Sequence, residues 1–303
     1  MAKLSPLASV SVTRDVLDAH GLTTKYSLGQ NFLINDDILV KIVKLAELDG
    51  TDHVLEIGPG IGTLTIALLK NAASVTSIER DTDLPPVLEE TLEPWWDRFS
   101  LINKDALDLE RADLDACRGS NPMPNKLVAN LPYAVAATVV LDYFERIESL
   151  ESATVMVQKE VADRMAATVG TKNYGAYTVK LSMYATPAGR FLVGPGNFFP
   201  PPRVDSAVIR LNRTAPIDAE GNPLSREVIE AACTMADAAF ASRRKTVSNS
   251  FKTYFAGRGD AGKAALDFLP QLLDAAGIDP KRRGETLCKE EFIALGRAYL
   301  DLR

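Results

Sequence analysis

The chain has 303 residues, 46% of them hydrophobic, and a net charge of −6. That length can bury one large core and a smaller one, and the composition is that of an ordinary globular protein. No apolar run nears the roughly 18 residues needed to span a bilayer, and the start lacks the apolar stretch of a secretory signal, so a cytoplasmic protein with no membrane contact is expected. Two histidines and three scattered cysteines argue against a Ser-His-Asp triad, a disulfide framework or a zinc site, and no metal is expected. The acidic balance excludes a wholesale nucleic-acid coat but leaves room for local basic patches.

Residues 1–24 are polar and weakly patterned, with one short helix expected near 12–19. Lys25-Tyr26-Ser27-Leu28-Gly29-Gln30-Asn31-Phe32-Leu33 follows neither a helix nor a strand period and precedes a helix over 36–46 capped by Asn35. It is apolar and amide-rich at once, which suits either a surface loop or a segment folded over a ligand pocket. The run Val54-Leu55-Glu56-Ile57-Gly58-Pro59-Gly60-Ile61-Gly62-Thr63-Leu64 reads as a strand over 53–57, a tight turn and a helix over 61–70. Its glycines remove Cβ atoms where the backbone turns sharply, and the helix N-terminus leaves N–H groups facing the same space. Ligands of open α/β sheets sit at the carboxyl ends of the strands, so this turn marks a pocket floor.

A strand over 74–78 ends at Glu79, placed to accept hydrogen bonds from ribose hydroxyls; Asp81 and Asp83 read as ordinary loop carboxylates. Pro85 and Pro86 sit early in the next helix, where proline is tolerated. A strand over 99–102 leads to Asp105, which either caps the next turn or accepts from an adenine amino group. Residues 111–125 read as a loop. Strand 126–129 ends in Asn130-Leu131-Pro132-Tyr133, followed by helix 137–146, strand 153–158, helices 159–167 and 176–184, strand 190–193, a proline-rich loop and strand 206–211. Strands separated by helices and closed by an antiparallel pair suit a seven-stranded sheet. Residues 212–224 read as a linker, and helices over 228–240, 245–255, 263–275 (broken at Pro270) and 289–302 make a small all-α domain. The expected domains are thus 1–212 and 213–303.

A dinucleotide fingerprint requires G-x-G-x-x-G. Here the third glycine, Gly62, comes one place early and Thr63 stands where it belongs. The form E-x-G-x-G-x-G is instead similar to motif I of S-adenosylmethionine methyltransferases, which implies a Rossmann-like fold. In such a pocket Asn-Leu-Pro-Tyr has a chemical reading. The exocyclic N6 of adenine is a weak nucleophile that takes on positive charge as it attacks a methyl carbon. Asn130 offers a side-chain oxygen and Leu131 a carbonyl to stabilise that charge. Pro132 stiffens the turn, and Tyr133 can stack on the base. No general base is needed before attack, so alignment is the main catalytic contribution. A target adenine must leave its stack to reach this place; Phe198, in a stiff loop, is the expected partner opposite Tyr133, with Phe199 in the core.

Arg243, Arg244, Lys245 and Lys252 form a run without an acid, Lys281, Arg282 and Arg283 a second, and Arg190, Arg203, Arg210 and Arg213 a scattered third. A solvated helix face is one reading. Cations opening a helix are disfavoured by its dipole, and that placement points to an anionic partner.

In combination these residues resemble the small-subunit rRNA adenine dimethyltransferases, the family that dimethylates two adjacent adenines in the 3′-terminal hairpin of 16S rRNA. The matching motifs are Leu28-Gly29-Gln30-Asn31-Phe32-Leu33, Glu56 to Thr65, Ile78-Glu79-Arg80-Asp81, Asp105-Ala106, Asn130-Leu131-Pro132-Tyr133, Gln158 to Ala162, Phe198 to Val208, Phe240 to Asn249 and Arg283 to Leu295. The resemblance implies S-adenosylmethionine contacts at Asn31, Leu33, Gly58, Glu79, Asp105 and Asn130, and places Tyr133 and Phe198 at the target base. It implies a helical domain that helps dock on the small ribosomal subunit; the basic clusters make Arg203, Arg243, Arg244 and Lys245 the expected RNA contacts, and a monomer is expected. Arg203 stands where lysine is commoner, Arg80 where the family is usually apolar, and Cys288 replaces a small polar residue. The 23S rRNA adenine methyltransferases of macrolide resistance are near relatives; the Arg-Arg-Lys-Thr run and the tail after Arg283 look more like the 16S group. Other readings are a subunit-assembly checkpoint and a DNA N6-adenine methyltransferase, whose motif usually begins with Asp and ends Pro-Pro-Tyr or Pro-Pro-Trp.

Overall fold

The computed structural model describes residues 3–25 and 28–303; Tyr26 and Ser27, within the expected pocket-covering segment, lie outside them. In chain order the elements are α1 (Val10–Ala19), β1 (Phe32–Leu33), α2 (Asp36–Ala46), β2 (His53–Ile57), α3 (Thr63–Leu69), β3 (Ser74–Glu79), α4 (Pro85–Thr91), β4 (Phe99–Asn103), α5 (Arg111–Cys117), β5 (Lys126–Asn130) and α6 (Ala136–Arg146). There follow β6 (Ser152–Gln158), α7 (Lys159–Met165), α8 (Ala176–Ser182), β7 (Ala185–Val193), β8 (Phe198–Phe199), β9 (Ser206–Arg213), α9 (Arg226–Phe240), α10 (Val247–Phe255), α11 (Gly259–Asp267), α12 (Leu269–Ala275) and α13 (Lys289–Leu302).

The chain forms two compact units, residues 1–162 with 187–213 and residues 163–186 with 214–303. The break after Arg213 falls where the linker was expected. Residues 163–186, expected in the first domain, group instead with the C-terminal helices. The reason is a shared core: Tyr174, Val179 and Met183 are buried with Met235, Phe251 and Phe292, and the Tyr174 hydroxyl donates to the Leu287 carbonyl at 2.8 Å.

The seven expected strands make one sheet in the order β4-β3-β2-β5-β6-β9-β7. β2, β3, β4, β5 and β6 run parallel, and β9 is antiparallel to β6. β2 and β3 are buried nearly throughout, as a parallel strand covered on both faces must be. The chain builds outward from β2 through β3 to β4, then returns to β5 on the other side. The switch point therefore lies between the carboxyl ends of β2 and β5, where an open sheet leaves a crevice. α3, which follows the glycine turn, is buried at every position. α2 buries Ile38, Leu39, Ile42 and Ala46, three and four apart, and is capped by Asn35 Oδ1 accepting from Asp37 N at 3.0 Å.

β7 begins at Ala185 rather than at 190, and two further features depart from the sequence reading. The segment read as a loop from 111 begins with α5, which is closed by a reciprocal cap between Glu110 and Asp113 and anchored by buried Leu114. β1 and β8 pair as a separate two-stranded ladder, Phe32 opposite Phe199 and Leu33 opposite Phe198. This ladder carries residues 28–33 to the sheet's carboxyl edge.

In the second unit α13 lies close against α9: a Cβ on Gly296 would sit 2.7 Å from the Ala232 nitrogen. α11 and α12 are separated at Phe268, with Pro270 in the first turn of α12, as the missing N–H of proline requires. Among the described residues no helix is long and apolar enough to cross a membrane.

Candidate active site

The turns that follow β2, β3, β4 and β5 share one edge of the sheet, and those after β2, β4 and β5 are held there by a bond to a neighbouring strand. Gly58 N donates to Ile78 O at 2.9 Å, Lys104 N to Glu79 O at 3.0 Å and Leu131 N to Met156 O at 3.0 Å. Together they enclose a cavity of about 510 Å³, within the range of small-ligand sites. Gly58, Glu79, Asp105 and Tyr133 line it, together with Pro200 to Val204. A smaller recess of about 80 Å³ reaches inward between Asn31, Leu33, Gly60 and the 130–133 turn.

The glycine turn is shaped by what it must pass. Gly60 has φ +59°, and a Cβ there would meet the Phe32 ring at 2.9 Å. Any side chain would both strain the backbone and push β1 off the pocket. Gly58 lies beside the Asn130 turn; its Cβ would stand 3.9 Å from Pro132 Cδ.

Behind this turn Glu56 is fully buried, and its Oε2 accepts from Thr65 Oγ1 at 2.8 Å and Ser77 Oγ at 2.7 Å. Its Oε1 has no partner among the described residues. Burial pushes the Glu56 carboxyl up to about 7, against the pull of the two hydroxyls. Glu79 is also shifted upward by burial, although backbone N–H groups of Asp81, Gly60 and Arg80 hold its charged form. An ionised carboxylate offers about four lone-pair sites, so three donors leave room for a ribose hydroxyl.

Asn130 Nδ2 donates to the Asn31 carbonyl at 3.1 Å, tying the β5 turn to the 28–31 segment. That bond assigns the amide and leaves Oδ1 as the acceptor. Among the described residues no donor reaches the Leu131 carbonyl. Tyr133 OH bonds Ser206 Oγ at 2.6 Å, and burial raises its pKa further from neutrality despite that bond. Tyr133 therefore presents a neutral, fixed ring to the cavity.

The 28–31 segment is clamped from outside as well. Lys25 Nζ reaches Asp81 Oδ1 and Asp83 Oδ2, each at 2.6 Å. Gln30 Nε2 donates to Asp81 Oδ2 at 2.7 Å, and Asp81 N donates to Glu79 Oε1 at 2.8 Å. Burial pushes the Asp81 carboxyl up, but the bonds from Lys25, Asp83 N and Gln30 outweigh it and hold it below the ordinary value. Asp81, read from sequence as a loop carboxylate, joins the ribose-side acid to the pocket cover. Nothing local marks it as a clamp, since Lys25 and Gln30 are more than fifty residues away. Ser206 was likewise not singled out.

The structure brings Asn31, Leu33, Gly58, Glu79, Asp105, Asn130, Leu131, Tyr133 and Arg203 to the two cavities. It does not bring Phe198. That ring is 2% exposed, packed in the core of the first unit, and lines neither cavity. Phe199, expected in the core, is half-buried and packs against that same core, with the Arg14 guanidinium 4.9 Å from its ring centroid. In the β1–β8 ladder Phe198 stands opposite Leu33, and both side chains are buried in that core.

The basic residues divide as well. Arg210 is 9% exposed and pairs with Glu47 at 2.6 Å, and Arg213 lies 5.3 Å over the Phe144 ring, so both serve the fold. Arg282 is paired with Glu291. Arg243 pairs with Glu285 at 3.7 Å and donates to the carbonyls of Lys172 and Tyr174, inside its own unit. Arg244 is exposed and has no partner among the described residues, and Lys245 reaches only Thr253 Oγ1 at 3.2 Å. The run does not open the helix: Thr246 caps α10, so these cations precede the cap and the dipole argument falls.

A parallel α/β sheet with an E-x-G-x-G-x-G turn, a ribose-side acid and an acceptor-bearing turn across the switch point defines a Rossmann-like methyltransferase. The model of the ribosomal RNA adenine dimethylase family matches residues 21–294. The chain is 40% identical over 291 residues to the ribosomal RNA small subunit methyltransferase A of Staphylococcus epidermidis, covering 95% of this chain and 94% of that one. To the protein of the same name from Staphylococcus aureus it is 39% identical over 290 residues, with the same coverage. A dimethyladenosine transferase from Plasmodium falciparum has a similar fold, with TM-score 0.71 and 23% identity over 87% of this chain and 95% of that one. The 23S rRNA methyltransferase ErmE gives TM-score 0.61 and 26% identity over 88% of this chain and 99% of that one. The chain belongs to the ribosomal RNA adenine dimethylase family, and it is an S-adenosylmethionine-dependent methyltransferase. The cavity volume, the glycine cradle and the capacity left on Glu79 fit that cofactor.

Between pH 4.5 and about 7 the folded protein keeps a proton on Glu56 that the unfolded chain has lost. Unfolding then releases a proton, so this group makes stability fall as pH rises through the window. Glu56→Gln keeps an oxygen for Thr65 and Ser77 but has no proton to lose. The melting temperature of the variant relative to the parent is expected to climb from pH 4.5 to 7 and then level off. Parallel profiles would show that Glu56 does not titrate there.

Proposed function

We propose that this chain methylates N6 of two adjacent adenines in the 3′-terminal hairpin of 16S rRNA, adding two methyl groups to each, late in small-subunit assembly. On this reading it acts as a monomer in the cytoplasm on the assembling small subunit. The observation that carries the chemistry is the placement of Asn130, Leu131 and Tyr133 beside Gly58 across the switch point. The small-subunit name of the relatives described above supports the choice of RNA.

When bound, S-adenosylmethionine supplies an electrophilic methyl group on a sulfonium centre. Glu79 and Asp105 are the acids for its ribose and purine, Gly58 and Gly60 let the backbone approach, and Asn31 and Leu33 close the near side. Asn130 Oδ1 and the Leu131 carbonyl are acceptors for a nitrogen that becomes cationic as its new bond forms. Their rigidity comes from Leu131 N on Met156 and Asn130 Nδ2 on Asn31. Tyr133, held by Ser206, gives the base a flat wall on which stacking contributes on the order of 1–3 kcal/mol. Phe198, buried as it is, does not supply the opposite wall; Pro200 to Val204 of the same loop line the cavity.

For RNA contacts the exposed candidates are Arg203 at the cavity lip and Arg244 with Lys245 before α10. Arg243, committed to carbonyls and Glu285, holds that turn in shape.

With labelled S-adenosylmethionine and separated ribosomal subunits from an unmodified strain, label is expected in small-subunit RNA as N6,N6-dimethyladenine. Label confined to large-subunit RNA would overturn the assignment. In the same assay Asn130→Ala is expected to abolish transfer while cofactor affinity drops but stays measurable; wild-type turnover would remove the acceptor argument. Arg244→Glu with Lys245→Glu should weaken subunit binding, most visibly at low salt, and leave cofactor binding unchanged. Docking equal to wild type at every salt concentration would show that this turn does not meet RNA.

A further inference from the structure

Arg80 follows Glu79 directly at the end of β3, and its side chain crosses to the end of β4. There its Nη1 donates to Asp105 Oδ2 at 3.0 Å. The other oxygen, Asp105 Oδ1, accepts from Leu107 N at 3.0 Å. The turn carrying that N–H is itself held by the Tyr143 hydroxyl, which donates to the Ala106 carbonyl at 2.9 Å. The Asp105 carboxylate is thus gripped on both oxygens, once by rigid backbone and once by a long side chain from the neighbouring strand. Each oxygen keeps a further lone pair. Arg80 and Asp105 both line the 510 Å³ cavity, with Glu79 beside them. Their side chains are 60% and 28% exposed, so the pair sits at the cavity lip. An ion pair this exposed adds little to fold stability. The neighbouring Lys104, which also lines the cavity, is turned to Asp113 at 2.8 Å, so Arg80 is the cation that meets Asp105.

A carboxylate beside a guanidinium presents an acceptor next to a donor. The edge of a 6-aminopurine presents the complement, an N–H donor next to a ring-nitrogen acceptor. A 6-oxopurine reverses that edge and sets its carbonyl oxygen against the carboxylate. We infer that Arg80 is a specificity-determining residue, which with Asp105 forms a two-point reader for the 6-aminopurine end of the cofactor. This rests on S-adenosylmethionine as methyl donor and goes beyond it in assigning the second reading group. Leucine at 80 would leave Asp105 with one tether and no donor beside it. Lysine would restore the charge and a donor but not the planar fork.

The test is equilibrium binding of S-adenosylhomocysteine and its 6-oxo counterpart, S-inosylhomocysteine, to the full-length protein by calorimetry. The wild type is expected to favour the amino ligand strongly. Arg80→Leu should reduce that preference on the order of tenfold, mostly by losing affinity for the amino ligand, with an unchanged melting temperature. Arg80→Lys should recover part of it. Raising the salt should erode the preference in the wild type and leave Arg80→Leu unaffected, because the pair is exposed to screening. An unaltered amino-to-oxo ratio in Arg80→Leu would overturn the assignment of Arg80. A wild-type protein with no affinity for S-adenosylhomocysteine would instead refute the donor assignment beneath it, and the proposal with it.

Discussion

Parallel pairing of β2 with β5 is the constraint from which the site follows. Val54 lies opposite Lys126 and Leu55 opposite Leu127, so the two strands end side by side although some seventy residues separate them. Gly58 then lies so near the Asn130 turn that a Cβ added to it would touch Pro132 at 3.9 Å. One turn gives the close backbone approach that a ligand needs, and the other gives acceptors. Reaction chemistry of the kind proposed needs both at one point, and a sheet whose winding reverses at this place supplies it.

Buried polarity holds that arrangement rigid. Glu56 links β2 to α3 and β3 through two hydroxyls, and Glu79 draws backbone N–H groups from the glycine turn and its own loop. Both carboxyls are held above their ordinary values because the sites are dry. Such groups cost free energy that an apolar core would not, and their partners are all elements of the pocket wall. The price falls on stability, and what is gained is a wall with one geometry.

The pocket cover is built differently. Residues 29–33 have only two residues of strand, so local hydrogen bonding does little to order them. They are positioned by distant partners: β8 through the ladder, Asn130 through the Asn31 carbonyl, and Asp81 through Lys25 and Gln30. The second unit, in contrast, is held by close helix packing at Gly296 and by a core shared with residues 163–186. There the basic turn is a mixture. Arg243 is part of the framework, and Arg244 and Lys245 are its exposed face.

The order of elements was legible from sequence because it rests on local rules. Alternating apolar runs, glycine turns and capping residues announce seven strands, the pocket floor at Gly58 and the acids at strand ends, and the structure has them where those rules put them. Proline placed the break between α11 and α12 for the same reason. Tertiary structure alone decided what depends on partners far apart in the chain. Asp81 became a clamp because Lys25 and Gln30 reach it, Phe198 went to the core because β8 found β1, and Arg210 and Arg213 were drawn inward by carbonyls and a ring. Arg80 on Asp105 belongs to the same class: each residue was visible, but the bond exists only because β3 and β4 lie side by side. Periodicity and propensity report what a residue does to its own backbone, whereas a side chain's partner is fixed by strand order and register, which no single segment encodes.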